Sequence, residues 1–406
     1  MPRLLQINAT ANWGSTGRIA EQIGAAAMER GWESYIAYGR SHDRSGSVLL
    51  KVGNKAVVLL HVAKARLLDG AGLGSYLATR RLIRKIRKIA PDVVHLHNIH
   101  GYYLNYKVLF DFLNNSDIRT VWTFHDFWAV TGHCTHFVEA SCDRWRSSCH
   151  DCPLSRRYPT TYPDFSKRNH QAKKSVFSSC RNLHLVAISD WAKDCISRSF
   201  LADKPISIIP NGVDLDVFRP EGKPYDLVGT EGKFIILAVA SQWKEGKGFE
   251  DFLELSRLLK DDEVIVMVGV NHQQKSVLPA NIIGMDCVGS TGELAGIYSA
   301  ADVLLSMSYA ETFGMTIVEA AACGTPAVVY DNTGQRSLVS RQTGYAVPTG
   351  DVSAVYEAVQ QIRINGKDHY SEACRASAER NFDKDKCFEK YIDLYESLLD
   401  KPAKNQ

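Results

Sequence analysis

Short apolar runs alternate with stretches of helical periodicity along nearly the whole chain, the pattern of parallel strands joined by helical crossovers. Leu4 to Ile7, Tyr35 to Tyr38, Val93 to Leu96, Thr120 to Phe124, Leu183 to Ile188 and Ile206 to Ile209 read as strands of a first α/β unit. Phe234 to Val239, Val264 to Val268, Val303 to Leu305, Ala327 to Tyr330 and Tyr345 to Val347 read as strands of a second. Pro210 to Gly232, rich in Pro, Gly and charge and without a period, reads as the linker between them. Phe388, Tyr391, Ile392, Tyr395 and Leu398 recur at helical spacing and predict one closing helix from Asp383 to Leu399. The expected organisation is a first α/β domain over 1–210, a second over 211–382, and a terminal helix over 383–406 that packs back on the first.

One stretch breaks the rhythm. Residues 127–165, Phe127 to Phe165, hold four cysteines, three prolines and many aromatic residues but no clear period. A structureless loop of that length in a compact domain needs something to tie it down. Cys134, Cys142, Cys149 and Cys152 are the candidates. A Cys149-His-Asp-Cys152 pair preceded by two further cysteines, with no thioredoxin-like strand and helix beside it, reads more readily as a tetrahedral structural zinc site than as a redox pair. Free thiols and disulfides are the alternatives, and His133, His136 and His150 are substitute ligands. The remaining cysteines are scattered and read as small core residues.

With 406 residues, 45% apolar and 23% charged, the chain has material for two ordinary cores, unlike a disordered, fibrous or membrane-spanning protein. It shows neither a run of some twenty apolar residues nor an apolar leader with a small-residue cleavage site, so a cytoplasmic protein with reduced cysteines is expected. A formal charge of +3 does not argue for nucleic acid, and without an RNA-binding signature or an aromatic-interleaved basic stripe no nucleic-acid partner is expected. The basic residues are concentrated instead: Lys64, Arg66, Arg80, Arg81, Arg84, Lys85, Arg87 and Lys88 are interrupted only by Asp69. Such a stretch is either a solvated helical face or a peripheral contact with an anionic inner leaflet.

Candidate chemistry gathers where strands end. Asn12-Trp-Gly14-Ser-Thr-Gly17 lies between the first strand and a helical run, where glycines allow close backbone approach and a helix start offers N–H groups to an anion. The spacing is not that of a dinucleotide fingerprint, and a bare tight turn is the alternative. His95, His97, His100 and His125 lie at or just past two strand ends, in His95-Leu-His-Asn-Ile-His100 and Thr123-Phe-His-Asp126. Ligands of doubly wound sheets bind outside those ends. Of His95 and His97, which alternate along one strand end, one reads as a core histidine. The most informative stretch is Tyr309-Ala-Glu-Thr-Phe-Gly-Met-Thr-Ile-Val-Glu-Ala320, followed by Cys323-Gly-Thr-Pro326. Glu311 precedes a glycine turn, and Glu319 falls within the first turns of the next helix. A carboxylate there can accept both hydroxyls of a ribose, while N–H groups near Met315 and Thr316 meet a diphosphate.

Through this Glu311 to Glu319 element, Ile209-Pro-Asn-Gly-Val-Asp214, Thr123-Phe-His-Asp126 and the Lys247-Gly248 helix start, the whole chain resembles the retaining glycosyltransferases of family 4. Within them it is similar to enzymes of capsular, exopolysaccharide or colanic-acid synthesis. The resemblance implies the GT-B architecture, two Rossmann-like parallel-sheet domains facing a cleft, and transfer of a hexose-type sugar from a nucleotide-sugar donor to a glycan or lipid-linked acceptor without a catalytic metal. It makes Glu319 the ribose ligand, places Glu311 beside the donor sugar, and assigns Lys247 to the diphosphate, with Phe313, Gly314, Met315 and Thr316 around the donor. It sets His125 in the reaction cleft, Asn98, His100 and Asp126 on the acceptor side, and turns Gly14 and Gly17 towards the donor phosphates and the acceptor. One position departs: where the family has an arginine this chain has Ser241, and Lys244 is the candidate replacement. A sugar-nucleotide epimerase or phosphorylase on the same fold, and a zinc-stabilised binding module, are the competing functions.

Overall fold

The computed structural model describes residues 1–220 and 225–400. Positions 221–224 of the expected linker and 401–406 of the expected terminal segment lie outside the described residues. The chain forms two compact units, Met1–Ile209 with the chain from Phe388 onward, and Pro210–Cys387.

The first unit is built on a seven-stranded sheet of β1 (Arg3–Asn8), β2 (Glu33–Tyr38), β3 (Val48–Lys51), β4 (Val93–Leu96), β5 (Arg119–Phe124), β6 (Leu183–Ala187) and β7 (Ile206–Ile208). Their order across the sheet is β3-β2-β1-β4-β5-β6-β7, and every neighbouring pair is parallel. Side chains alternate between the two faces of a strand, so consecutive apolar residues feed two different cores. Leu5, Val94, Trp122 and Phe124 point into a cluster with Phe110 and Phe177. Leu4, Val93, Val121 and Val186 point the other way. Helices α1 (Gly14–Glu29), α2 (Lys55–Leu68), α3 (Tyr76–Ile89), α4 (Tyr106–Asn114), α5 (Ser166–Ser178) and α6 (Asp190–Ser197) supply the crossovers.

The second unit carries β8 (Phe234–Val239), β9 (Glu263–Val268), β10 (Ile282–Met285), β11 (Val303–Ser306), β12 (Ala327–Tyr330) and β13 (Gly344–Val347) in the order β10-β9-β8-β11-β12-β13, again all parallel. Its helices are α7 (Phe249–Leu255), α8 (His272–Lys275), α9 (Thr291–Ala300), α10 (Met315–Ala322), α11 (Val352–Asn365) and α12 (Asp368–Asn381). The closing helix α13 (Lys384–Leu399) begins in this unit and continues into the first, where Phe388, Tyr391, Ile392 and Tyr395 complete the cluster around Leu4 and Val93. The boundary therefore falls between Cys387 and Phe388, within the helix, rather than at residue 383.

Each sheet has one strand more than the apolar runs predict. Both additions, β3 and β10, are four-residue strands at a sheet edge. An edge strand has one neighbour and little buried surface, so its sequence need not be a clean apolar run, and Lys51 and Gly284 interrupt these two. Between residues 210 and 232 the described backbone forms no strand or helix beyond an isolated bridge, Val213 to Asp383. That bridge is held by Val213 N–H to Phe382 O at 2.7 Å and by Lys384 Nζ to Asp214 at 2.7 Å. No helix of the described residues is long and apolar enough to cross a membrane.

The aperiodic insertion contains only a single 3-10 turn, Arg144–Arg146, yet it is firmly anchored. Trp128, Phe137 and Trp145 are buried in the first core, with Phe137 and Trp145 stacked at 4.6 Å. Lys173 of α5 donates to the carbonyls of Trp128 (2.6 Å) and Thr131 (3.1 Å) and lies 3.6 Å from the centre of the Trp128 ring. Burial pushes its amine down to about 7. The four insertion cysteines are unpaired thiols. Cys134 and Cys152 are in sulfur-to-sulfur hydrogen-bond contact, which brings the Cys152 thiol down to about 7, and Gly132 N–H donates to Cys149 Sγ at 3.1 Å. Among the described residues, as placed, no group of three His, Cys, Asp or Glu side chains could hold a metal ion.

Candidate active site

In the second unit the strand order reverses between β8 and β11, and the loops leaving these two strands carry Lys247 and Glu311. A reversal point of this kind opens a crevice beyond the carboxyl ends of the strands, because the two outgoing chains turn in opposite directions. Lys247 Nζ and Glu311 Oε1 form an ion pair there. Gly248 follows with φ +75° and caps α7; a Cβ at Gly248 would lie 2.3 Å from the carbonyl oxygen of Met307, so only glycine lets the two loops approach. The Glu311 loop is fastened from below. Its N–H reaches Thr333 Oγ1 at 3.1 Å, its carbonyl accepts from Gly334 at 2.8 Å, and buried Gln335 ties Ser306 and Ser308 together.

Helix α10 starts immediately after Gly314, whose φ of +119° swings the chain into the helix. No side chain caps this end, so the N–H groups of Met315 and Thr316 are presented at the positive end of the helix dipole. Phe313 is buried beneath the turn against Phe382, with ring centres 5.8 Å apart. Glu319 stands one turn into α10, partly exposed, and one of its carboxylate oxygens accepts from Tyr298 Oη at 2.9 Å. Tyr298, on α9, is fully buried, and burial together with the Glu319 carboxylate raises its phenol well above the usual tyrosine range. It therefore remains a donor and holds the carboxylate in one orientation. Ser241 and Lys244 are exposed in the loop after β8, and the Lys244 side chain makes no ion pair among the described residues.

In the first unit the reversal lies between β1 and β4. Beyond β4 and its neighbour β5, a small pocket is lined by His97, Asn98, His100, His125, Asp126 and Trp128. It brings together Asn98, His100 and Asp126, which the resemblance assigns to the acceptor side. Asp126 accepts from His100 Nε2 at 2.7 Å and from Trp128 N–H at 2.9 Å. Burial opposes its charge, but His100 and these hydrogen bonds prevail and hold the carboxyl at about 2. Beside it, α1 starts without a side-chain cap at Gly14, whose φ is +66°. A Cβ at Gly17 would meet Thr10 Oγ1 at 2.7 Å.

His125 is set by a relay that the sequence did not reveal. Gln6 Nε2 donates to Ala20 O at 2.7 Å, so its Oε1 must be the atom 3.0 Å from His97 Nε2. His97 Nε2 therefore carries a proton. Burial and the neighbouring His95 and His125 keep the His97 imidazole neutral, so its Nδ1 is a lone pair. That lone pair lies 3.0 Å from His125 Nε2, which must be the donor. Burial also drives His125 down to about 4, so at neutral pH its Nδ1 is an acceptor. His95, the other histidine of the strand end, is buried between Thr123 (2.7 Å) and Tyr395 (2.6 Å) and is the core residue of the pair.

Two family patterns match the chain: "Glycosyltransferase Family 4" over residues 16–217 and "Glycosyl transferases group 1" over 233–365. A protein of Escherichia coli K12 assigned as the colanic acid biosynthesis glycosyl transferase WcaC is 23% identical over 97% of this chain and 100% of its own length. An Escherichia coli UDP-Gal:α-D-GlcNAc-diphosphoundecaprenol α-1,3-galactosyltransferase is 25% identical over 55% of this chain and 62% of its own. Among solved structures, the sucrose-phosphate synthase of Thermosynechococcus elongatus superposes with a TM-score of 0.72 at 16% identity, covering 98% of this chain and 99% of that one. HepE of Anabaena, solved with UDP and glucose, superposes with a TM-score of 0.65 at 15% identity, covering 98% and 100%. With one glycosyltransferase pattern on each of two parallel-sheet Rossmann-like units of the GT-B fold, the chain belongs to the family 4 and group 1 glycosyltransferases and is a transferase enzyme.

Proposed function

We propose that the enzyme is a retaining transferase that moves a hexose-type sugar from a nucleoside-diphosphate sugar to a glycan or lipid-linked oligosaccharide of a surface polysaccharide, capsular or exopolysaccharide. The observation that carries this reading is the arrangement in the second unit: the Lys247–Glu311 pair at the strand reversal, the uncapped start of α10, and Glu319 oriented by Tyr298. In this reading Glu319 accepts the ribose hydroxyls. The N–H groups of Met315 and Thr316, with Lys247 and with Lys244 in place of an arginine at Ser241, take the charge that develops on the departing diphosphate. Phe313 and Gly314 shape the turn that sets these N–H groups. Glu311 sits beside the sugar and acts on its hydroxyls rather than as a nucleophile. His125 serves the transfer step, Asn98, His100 and Asp126 bind on the acceptor side, and Gly14 and Gly17 let the backbone approach an anionic ligand. The UDP named for HepE and the UDP-galactose and lipid diphosphate named for the Escherichia coli galactosyltransferase support a uridine donor and a lipid-linked acceptor.

Thermal unfolding with UDP, GDP and their sugars tests the donor, because a ligand that binds only the folded protein raises its melting temperature. UDP compounds are expected to give the largest rise. The anomeric configuration of the product, read by NMR, tests the stereochemistry, and an inverted product or a glycosyl adduct on Glu311 would overturn the proposed course. Structural zinc held by Cys134, Cys142, Cys149 and Cys152 is a separate proposal resting on their spacing, and it requires the thiols to regroup from their present positions. About one equivalent of zinc in the purified protein supports it; less than about half an equivalent counts against it.

A further inference from the structure

Between Arg44 and Pro91 the chain contains one acidic residue, Asp69, and it is buried, with its carboxylate accepting from His133 Nδ1 (2.7 Å) and Phe165 N–H (3.0 Å). The exposed charge of α2 and α3 is therefore all positive. On α3 the buried side is Ala78, Thr79, Leu82, Ile83 and Ile86, which leaves Arg80, Arg81, Arg84, Lys85, Arg87 and Lys88 exposed. An open groove between α3, α4 and α5 is lined by Arg80, Arg84, Arg87 and Lys107 against the single acid Asp111.

The neighbouring helix α2 has the opposite anomaly. It buries only His61 and Ala65, while Leu59, Leu60 and Leu67 are 68%, 73% and 62% exposed. At 3.6 residues per turn, Ala56, Leu59, Leu60, Ala63 and Leu67 fall within roughly 100° of its circumference, flanked by Lys55 and Arg66 on one side and Lys64 on the other. The helix is held in place: His61 Nε2 accepts from the N–H groups of Gly72 (3.1 Å) and Gly74 (3.0 Å), and His61 Nδ1 meets Ser75 Oγ at 2.9 Å. Those residues form the turn into α3, whose own first residues, Tyr76 and Leu77, are 52% and 66% exposed. A fixed helix with an apolar outer stripe between basic rims, beside a purely cationic helix, matches an anionic bilayer surface: leucines reach the acyl boundary and the cations sit at phosphate level. A second copy of this chain would oppose like charges across the same face.

We propose that α2 lies in the headgroup layer of an anionic membrane with Leu59, Leu60 and Leu67 inserted, and that the cations of α3 bind the lipid phosphates. This deepens the reading of a lipid-linked acceptor, and its test uses neither donor nor acceptor, so the two fail separately. The full-length protein is sedimented with vesicles of phosphatidylcholine alone or containing about a third phosphatidylglycerol, at about 0.1 M salt where screening is moderate. Binding is expected only to the anionic vesicles. Leu60→Asp with Leu67→Asp should weaken it at least tenfold, as should Arg80→Glu with Arg84→Glu, each with an unchanged melting temperature; a Leu60→Trp probe should shift its emission to the blue on binding. No binding by the wild type would overturn the proposal. So would binding indifferent to the leucine pair, which would mean charge alone, or a wild-type dimer that Leu60→Asp dissociates, which would mean a second copy covers the stripe.

Discussion

Glu319→Gln should weaken nucleotide binding by roughly 100-fold, about 2.7 kcal/mol, without lowering the melting temperature of the free protein. The size follows from the chemistry of the carboxylate. Accepting two hydroxyls at once uses both oxygens and the full negative charge, and hydrogen bonds to a charged group each contribute about 1.5–3 kcal/mol. Glutamine keeps one acceptor and turns an NH2 group towards the other hydroxyl. Tyr298→Phe is the graded control: it removes only the bond that orients the carboxylate, so a loss of about fivefold, near 1 kcal/mol, is expected. Titration calorimetry with UDP measures both. Unchanged affinity in Glu319→Gln, with the fold intact, would remove the ribose from this position and the donor assignment with it.

A second large effect is expected at the other sheet. His125→Ala should reduce turnover by roughly 10- to 100-fold, about 1.4–2.7 kcal/mol of transition-state stabilisation, while leaving UDP affinity unchanged. With its imidazole held down at about 4, His125 is neutral from pH 8 to about 5, so its contribution should be flat there and fall only as the pH approaches 4, where protonation removes the Nδ1 lone pair. The relay through His97 allows a sharper test. In the wild type, 15N spectra should show the His125 proton on Nε2. Gln6→Met removes the acceptor that fixes the His97 proton, so the His97 proton can move to Nδ1 and reverse the bond to His125. A population of His125 protonated on Nδ1 should then appear alongside reduced turnover. A loss of activity with the tautomer unchanged would show that Gln6 acts only by packing.

Residues contributed from distant parts of the chain were the ones the sequence concealed. Tyr298 reads as an apolar residue of a helix, and only the packing of α9 beside α10 places its hydroxyl on Glu319. Gln6 reads as an out-of-phase polar residue in an apolar strand. Its register beside His95 on β4 is what brings it to His97. By contrast, Glu311, Gly314, Met315 and Glu319 lie on one continuous loop and helix start, where spacing along the chain is already spacing in space. The same distinction explains the insertion. Cysteine spacing alone suggested a metal, whereas the anchoring seen is Trp128, Phe137, Trp145 and the buried Lys173, all of which depend on contacts with α5 and the core.

Apolar periodicity and loop chemistry are local, so the order of strands and helices, the division into two α/β units and the glycine turn that leads from Glu311 into α10 could be read directly from the chain. The edge strands, the tautomer of His125, the orientation of Glu319 and the exposed leucine stripe of α2 could not. Each depends on which surfaces are covered by residues far away in sequence: an edge is an edge, and a leucine is stranded in solvent, only once every other element has taken its place.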